Sequence, residues 1–361
     1  MIISSNFNFL ISGFDTIECA YYLIPTDQFQ LDFVSLAVQK ENLTRAKNSK
    51  QQAIKLGSEE FLLASHGTTS GYPFVIENEA FIIQFGEFNK PNFYVKFRSI
   101  ALWHHGALKL HERFLAWASS VGMMPSQPER LSRADYAFDY FLPELDFDED
   151  SFISQATKDN QHRKNGKIQT LKFGTDKVVL RLYNKTDEIN EISHKTWLFD
   201  LWGIDHDVWR IEWQVRKDYL RQLGISSFAS LAERQGDLLR VLVKDHTTLR
   251  VKSNDSNRSR WAIHPLWLDL IERVNQMDGL GVIKELDELA LLEERLTRIA
   301  ISVYGYVKRV AAIDALYTGN EKSYMDEAFQ HLQNRVTELH DPLTWQQDVN
   351  RRAKEMRLGE W

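Results

Sequence analysis

Four short segments of this chain alternate strictly between two kinds of residue. That pattern restricts them to strands with two unlike faces, because successive strand side chains point to opposite sides. In Phe93 to Arg98, the residues Phe93, Val95 and Phe97 alternate with Tyr94, Lys96 and Arg98. In Arg133 to Tyr140, the residues Ala134, Tyr136, Phe138 and Tyr140 alternate with Arg133, Asp135, Ala137 and Asp139. In Leu180 to Lys185, Leu180 and Leu182 alternate with Arg181, Tyr183 and Lys185. In Trp209 to Arg216, Trp209, Ile211, Trp213 and Val215 alternate with Arg210, Glu212, Gln214 and Arg216. An antiparallel sheet with helices on one side shows this alternation. The polar set is either a solvated outer face or a functional one. Its concentration of Arg, Lys, Asp, Glu and Tyr suits phosphate and divalent cations as well as water.

The remaining strands and helices follow from periodicity. Phe74 to Ile76 and Phe81 to Phe85 read as strands around a turn at Glu77-Asn78-Glu79. Ile168 to Phe173 and Val178 to Asn184 read as a hairpin across Gly174-Thr175-Asp176. His105 to Val121 has helical spacing, with Leu108, Phe114, Leu115 and Ala118 toward one face. Gln51 to Ala64 is weakly helical, and the acidic run Glu144 to Asp150 suits the start of a helix. From Val282 to Val310 apolar residues recur every three or four positions, a long amphipathic helix carrying a Glu294–Arg298 pair. No internal repeat is visible. These elements predict an α+β body over residues 1–252 and a helical C-terminal region over 253–361. The polar run Ser253 to Asn257 would link them.

Charge first misleads and then informs. The net charge of −6 argues naively against a nucleic-acid partner. By segment, however, residues 1–150 are net −7, residues 151–260 net +6 and residues 261–361 net −5. The basic centre is densest from Lys158 to Lys185, which charge alone reads as a solvated face before a phosphate-binding surface. One cysteine, Cys19, leaves no intramolecular disulfide framework or Cys-based zinc site and fits a reducing compartment. No apolar run reaches the roughly 18 residues of a spanning helix. A cytoplasmic location, in a bacterial host, is the expectation.

Three of the alternating strands carry a family resemblance. Ser132-Arg133-Ala134-Asp135-Tyr136-Ala137-Phe138-Asp139 resembles the Arg-x-Asp-x-Ala-x-Asp strand of the trans-acting replication initiation factors. Arg181-Leu182-Tyr183-Asn184-Lys185 with Glu188 resembles their Arg-x-Tyr-(Asn/Asp)-Lys-x-x-Glu strand, and Trp209-Arg210-Ile211-Glu212 their Trp-Arg-(Val/Ile)-Glu strand. Phe14-Asp15 stands where the family's first strand would begin. These proteins start rolling-circle replication of Gram-positive plasmids and some filamentous phages. The chain length and acidic helical tail look more like the phage branch.

The resemblance implies a degenerate relative of the His-hydrophobic-His endonuclease fold. It also implies a nicking-closing enzyme that cuts one origin strand through a covalent 5′-phosphotyrosine at Tyr183. A tyrosine of ordinary pKa about 10 needs activation, and Arg181 and Lys185 flank Tyr183 to supply it. Mg²⁺ or Mn²⁺ would polarise the scissile phosphate, and Mg²⁺ is content with one or two carboxylates. Asp135 and Asp139 lie about 13 Å apart along an extended strand, so Asp135 with Glu212 is the preferred pair. Asp139 is the alternative, or else the partner of an arginine on a neighbouring strand. Where the family often has glutamate this chain has Lys96, which thins the metal shell. His104, His105 and His206 are weaker candidates to complete it. Tyr304 and Tyr306 read as helix packing rather than a second nucleophile pair.

For DNA contacts, His162, Arg163, Lys164 and Lys167 are the candidates beside the Tyr183 strand, with Arg133, Arg210, Lys96 and Arg98 on the polar face. The partners implied are double-stranded origin DNA, hairpin or single-stranded DNA at the nick, a host helicase and the replication machinery. A homodimer is left open, and no membrane is implied. The alternative function is a catalytically inactive, sequence-specific DNA-binding regulator of the same fold, suggested by Lys96. A third is a carboxylate-metal hydrolase without a covalent step.

Overall fold

A computed structural model describes residues 7–45, 51–278, 288–319 and 322–357. Two compact units divide it, Met1–Leu286 and Asp287–Trp361.

The first unit is built on one antiparallel sheet of eleven strands. In chain order these are β1 (Asn8–Tyr21), β2 (Gln51–Leu56), β3 (Glu59–Ala64), β4 (Phe74–Glu77), β5 (Phe81–Phe85), β6 (Phe93–Phe97), β7 (Arg130–Phe141), β8 (Asp159–Lys164), β9 (Lys167–Phe173), β10 (Val178–Asn184) and β11 (Val208–Arg216). The spatial order is β8-β9-β10-β11-β7-β1-β6-β5-β4-β3-β2. The helices are α1 (Phe33–Arg45), α2 (Ser99–His105), α3 (Ala107–Ser120), α4 (Lys185–Glu188), α5 (Trp197–Trp202), α6 (Lys217–Gln222), α7 (Phe228–Val241) and α8 (Pro265–Asn275).

That order hides a repeat of topology that the sequence does not display. From the central pair β1 and β7 the strands run outward alike on both sides. The last strand of each half, β6 or β11, lies beside the central strand, and earlier strands follow outward in reverse chain order. A short helix and a long helix follow each half, α2–α3 and α6–α7. The halves differ in the connection before the last strand. It is a seven-residue turn before β6, but holds α4 and α5 before β11.

The apolar strand faces pack under α3, α7 and α8. Phe81 and Phe93 meet Phe114 and Trp117 of α3, Phe97 meets Phe228 of α7, and Trp213 meets Trp267 of α8. Trp209 and Trp213 are thus core residues, as their face predicts. In α3 the buried stripe is Leu110, Phe114, Trp117 and Ala118, while Leu108 faces solvent.

Four expectations need correction. Gln51 to Ala64 is not helical but the β2–β3 hairpin, turning at Gly57-Ser58 and burying Phe61 and Leu63. Pairing with β4 and burial of Phe61 and Leu63 supply the tertiary packing that a weakly amphipathic helix lacks. Glu144 to Asp150 yields only a 3₁₀ turn at Glu149–Ser151, capped by Asp148. The body extends past residue 252. Arg258 donates to the carbonyls of Asp150 and Phe152, and Trp267 of α8 is fully buried in the first unit. The division therefore falls at 286/287. Finally, the polar face is not a uniformly solvated surface, because β11 is buried on both faces from Val208 to Val215.

Gly174 shows how tightly the β9–β10 turn is specified. It has φ +94°, and a Cβ there would lie 2.2 Å from the carbonyl oxygen of Val178. Gly174→Ala is expected to destabilise the protein by about 1–3 kcal/mol, measured by urea unfolding. A change within 0.5 kcal/mol, about the noise of a neutral surface substitution, would contradict it.

The second unit holds α9 (Glu288–Thr318), α10 (Met325–Leu339) and α11 (Pro342–Arg357). The long helix expected from Val282 to Val310 is α9, although Val282 and the side chains of Glu294 and Arg298 lie outside the described residues. Val307 of α9 and Ala328 of α10 are buried. Tyr304 and Tyr306 face solvent, each with a cation, Lys308 or Arg309, over its ring. Among the described residues no helix is long and apolar enough to cross a membrane.

Candidate active site

The site forms where the second half's strands place their polar residues in register. Tyr183 of β10 stands opposite Arg210 of β11, and Arg210 opposite Asp139 of β7. One step along, Arg181 stands opposite Glu212, and Glu212 opposite Ala137. A further step places Gln214 opposite Asp135. Asp135 and Glu212 are therefore diagonal neighbours on one face, within reach of each other's charge.

One end of this face is roofed. Ile189, Leu198 and Trp202, from the α4–α5 connection, pack on Val208 and Ile11. From α2, Ser99 and Trp103 both donate to Asp15 Oδ1, at 2.8 and 3.1 Å. Beneath that roof Arg210 is fully buried. Its Nε and one terminal nitrogen fork onto Asp139 at 2.7 and 2.8 Å, and its other terminal nitrogen donates to Asp15 at 2.6 Å. Trp202 Nε1 donates to Asp139 at 2.9 Å. Asp139 is thus an arginine partner, and its two oxygens are taken. Burial alone would raise Asp15, but the charges of Arg210, Lys195 and Lys185 outweigh it and hold the carboxyl below its ordinary range.

Beyond the roof lies the candidate cluster around Tyr183. Tyr183 Oη donates to Glu212 Oε2 at 2.9 Å, and Arg181 donates to Glu212 Oε1 at 3.0 Å and to Gln214 at 2.8 Å. Burial first, and then the charge of Glu212, push the Tyr183 phenol well above its ordinary range, with Arg210 opposing. The hydroxyl is held as a phenol with a carboxylate on its proton. Lys185 is the first residue of α4 rather than the end of β10. It is buried, ion-paired with Glu188 at 2.5 Å, and its ammonium lies 5.5 Å from the Tyr183 ring centroid. Burial and Arg210 lower its pKa, against Asp15 and Glu188.

Asp135 is buried and ion-paired with Arg133, which also reaches Glu18 at 3.4 Å. Burial raises its carboxyl; Arg133 opposes this and Glu212 adds to it, leaving it pushed up to about 7. A carboxyl raised on folding contributes stability below its unfolded pKa of about 3.9 and loses it as pH rises through about 7. Asp135→Asn is therefore expected to gain stability relative to the parent between pH 5 and pH 8, without added metal. Paired thermal melts at the two pH values check this, and an unchanged difference would contradict it.

Glu18, which the sequence patterns did not single out, joins the face beside Tyr94, which alternation places there. Tyr94 Oη donates to Glu18 Oε2 at 2.7 Å. Asp15, noted only for the start of a strand, sits at a register shift in β1 and so turns onto the polar face with Arg210. A bulge is not legible from alternation alone.

Several candidate positions fall elsewhere. Arg98 turns to Glu77 at 3.4 Å and to the Asn78 carbonyl at 3.0 Å, away from the cluster. Arg210 is buried and not open to DNA, whereas Arg133 and Lys96 are half-buried. His104 stacks near Trp197, with ring centroids 5.5 Å apart, and His206 pairs with Asp205. Among the described residues no three His, Cys, Asp or Glu side chains converge as for a metal ion, so these histidines complete no shell. On the β8–β9 hairpin, Arg163 is tied to Glu149 at 3.5 Å and Lys164 to Glu191. His162 and Lys167 are exposed.

No protein-family model matches the chain. No curated protein matches it either. In structure it is similar to a rolling circle replication initiator protein from Geobacillus stearothermophilus, at 16% identity and a TM-score of 0.44, over 74% of this chain and 98% of that one.

Proposed function

We propose that this protein is a replication initiator that nicks and rejoins one DNA strand through Tyr183. The observation carrying this reading is the Tyr183 hydroxyl hydrogen-bonded at 2.9 Å to Glu212, with Arg181 on the other oxygen of that carboxylate. The three strand motifs that resemble the trans-acting initiators converge on the same cluster. In the forward step the Tyr183 oxygen bonds to phosphorus and the bond from phosphorus to the 3′ oxygen breaks. The phenolic proton passes to Glu212, which returns a proton to the leaving 3′ oxygen. The phosphodiester energy is kept in the phosphotyrosine, so reversal rejoins the strand without ATP. Arg181 and Lys185 offer charge to the anionic phosphorane, where fixed cations act most strongly.

A divalent ion fits part of this face. Burial first, and then Glu212 diagonal to it, raise the Asp135 carboxyl despite its ion pair with Arg133, and two carboxylates are a donor set that suits Mg²⁺ or Mn²⁺ with phosphate and water. Asp139 does not fit, because its partner Arg210 is fully buried and held by Asp15 as well, whereas the arginines on Asp135 and Glu212, Arg133 and Arg181, reach solvent and have room to turn aside. When bound, the ion would polarise the scissile phosphate. Added Mg²⁺ is expected to raise the melting temperature of the parent at pH 8 and not that of Asp135→Asn; equal shifts in both would remove Asp135 from the shell.

The test of the function is direct. Protein incubated with a random-sequence single-stranded library and Mg²⁺ or Mn²⁺, then denatured and digested, should yield a peptide carrying a 5′-phosphonucleotide on Tyr183. Strand cleavage without any such peptide would favour a hydrolase. Specific DNA binding without cleavage would favour a regulator of the same fold.

A further inference from the structure

The polar face does not stop at Tyr183. Register carries it outward through two more strands. Thr170 and Lys172 of β9 stand opposite Tyr183 and Arg181, and His162 and Asn160 of β8 stand opposite Thr170 and Lys172. Residues directly opposite share a face. Two rows therefore cross three strands side by side, Tyr183–Thr170–His162 and Arg181–Lys172–Asn160. Together they extend about 10 Å from the reactive strand. No carboxylate stands in either row, and neither Lys172 nor His162 is tied to one among the described residues.

Off these rows the same hairpin is different, and Gln161 and Arg163 both reach Glu149. The first half of the sheet, of like topology, offers a further contrast. There β5, β4 and β3 correspond to β10, β9 and β8, and the rows are Gln84–Val75 and Ile82–Glu77–Leu62, with one carboxylate and no cation. The fold alone does not require cations on these strands. They occur only in the half that carries Tyr183.

We propose that these rows are a track for single-stranded DNA. Lys172 holds a phosphate next to the scissile one, and Asn160, Thr170 and His162 contact the sugar-phosphate chain beyond it. The track rests on the reading of Tyr183 as the nucleophile. Single strand is the form that fits, because the Tyr183 hydroxyl is recessed against Glu212 and beside a helical roof. A flexible strand can bring its phosphate down to the sheet, which the width of a duplex prevents.

The experiment uses full-length Tyr183→Phe protein, so that no cleavage intervenes, and a labelled oligothymidylate followed by anisotropy at rising salt. Adding Lys172→Ala should weaken binding severalfold and lower the slope of log K against log salt by about 0.7, the single-strand value for one phosphate. Lys109→Ala, at an exposed cation of α3 on the helix-covered side of the sheet, should leave the slope unchanged. The track is overturned if Lys172→Ala keeps the parental slope, or if Lys109→Ala lowers it equally. The phosphotyrosine experiment, run in parallel, separates the two claims. An adduct on Tyr183 with an unchanged Lys172→Ala slope removes the track and leaves the nicking. A lowered slope without any adduct keeps the track as a binding surface and removes the nicking.

Discussion

Tyr183→Phe protein, incubated with single-stranded DNA and Mg²⁺ and then denatured, should carry no DNA at all. The substitution keeps the ring between Arg210 and the Lys185 ammonium and removes only the oxygen that would bond to phosphorus. Loss of a covalent nucleophile lowers rates by on the order of 10⁴-fold or more. Stability should barely change, by about 1 kcal/mol, because Glu212 keeps Arg181 as a donor when the Tyr183 hydrogen bond is lost. Binding of DNA should persist. Glu212→Gln is the companion variant. It keeps an acceptor for the hydroxyl but cannot take a proton at neutral pH, so attachment should slow by about 10²- to 10⁴-fold. Attachment at the parental rate in Tyr183→Phe would end the proposal, whatever the second variant does.

Arg210→Met should be among the most destabilising single substitutions in the first unit, by about 3–5 kcal/mol. Arg210 is 0% exposed and neutralises two carboxylates, Asp139 and Asp15, that water cannot reach freely. Methionine fills much of the volume but leaves both charges without their cation. Most of the loss is the penalty for those stranded carboxylates rather than the worth of the ion pair itself. Arg210→Met combined with Asp139→Leu should therefore recover part of the stability, a coupling that a double-mutant cycle in urea reads directly. A loss under about 1 kcal/mol for the single variant would show that water or a neighbouring lysine compensates the pair. The effect on attachment should follow, because Arg210 faces Tyr183 across the ladder and is held from behind by Ser99, Trp103 and Trp202 through the two aspartates.

Much of the fold was legible because burial on one face imposes alternation. β6, β7, β10 and β11 were readable as two-faced strands, although Arg98 turns away from the cluster and Lys185 falls in α4. The edge hairpin β2–β3 was not readable. Its exposed strand carries little burial signal, so its pairing is settled by β4 rather than by its own pattern. The topological repeat was equally hidden, since strand order leaves no periodicity in sequence. For the site, Tyr183, Arg181, Asp135 and Glu212 were visible as one face of three strands. The roles of Asp139 and Arg210 turned on the roof of α2, α4 and α5, whose approach no strand pattern records. The DNA candidates divided in the same way. His162 stands in the row of Tyr183, while Arg163, past a register shift, turns to Gln161 and Glu149.

Alternation and spacing by themselves determined that this chain makes a two-faced antiparallel sheet with a tyrosine among cations and carboxylates on one face, and that its basic residues gather in the middle third. Those are local properties, since a side chain's face depends only on the parity of its position. Tertiary structure alone decided which carboxylate meets the tyrosine, which is spent on a buried arginine, and which lysine beside the Tyr183 strand has no carboxylate partner among the described residues. Register and the approach of covering helices set those partnerships, and both are fixed by packing between segments as far apart as Asp15 and Arg210.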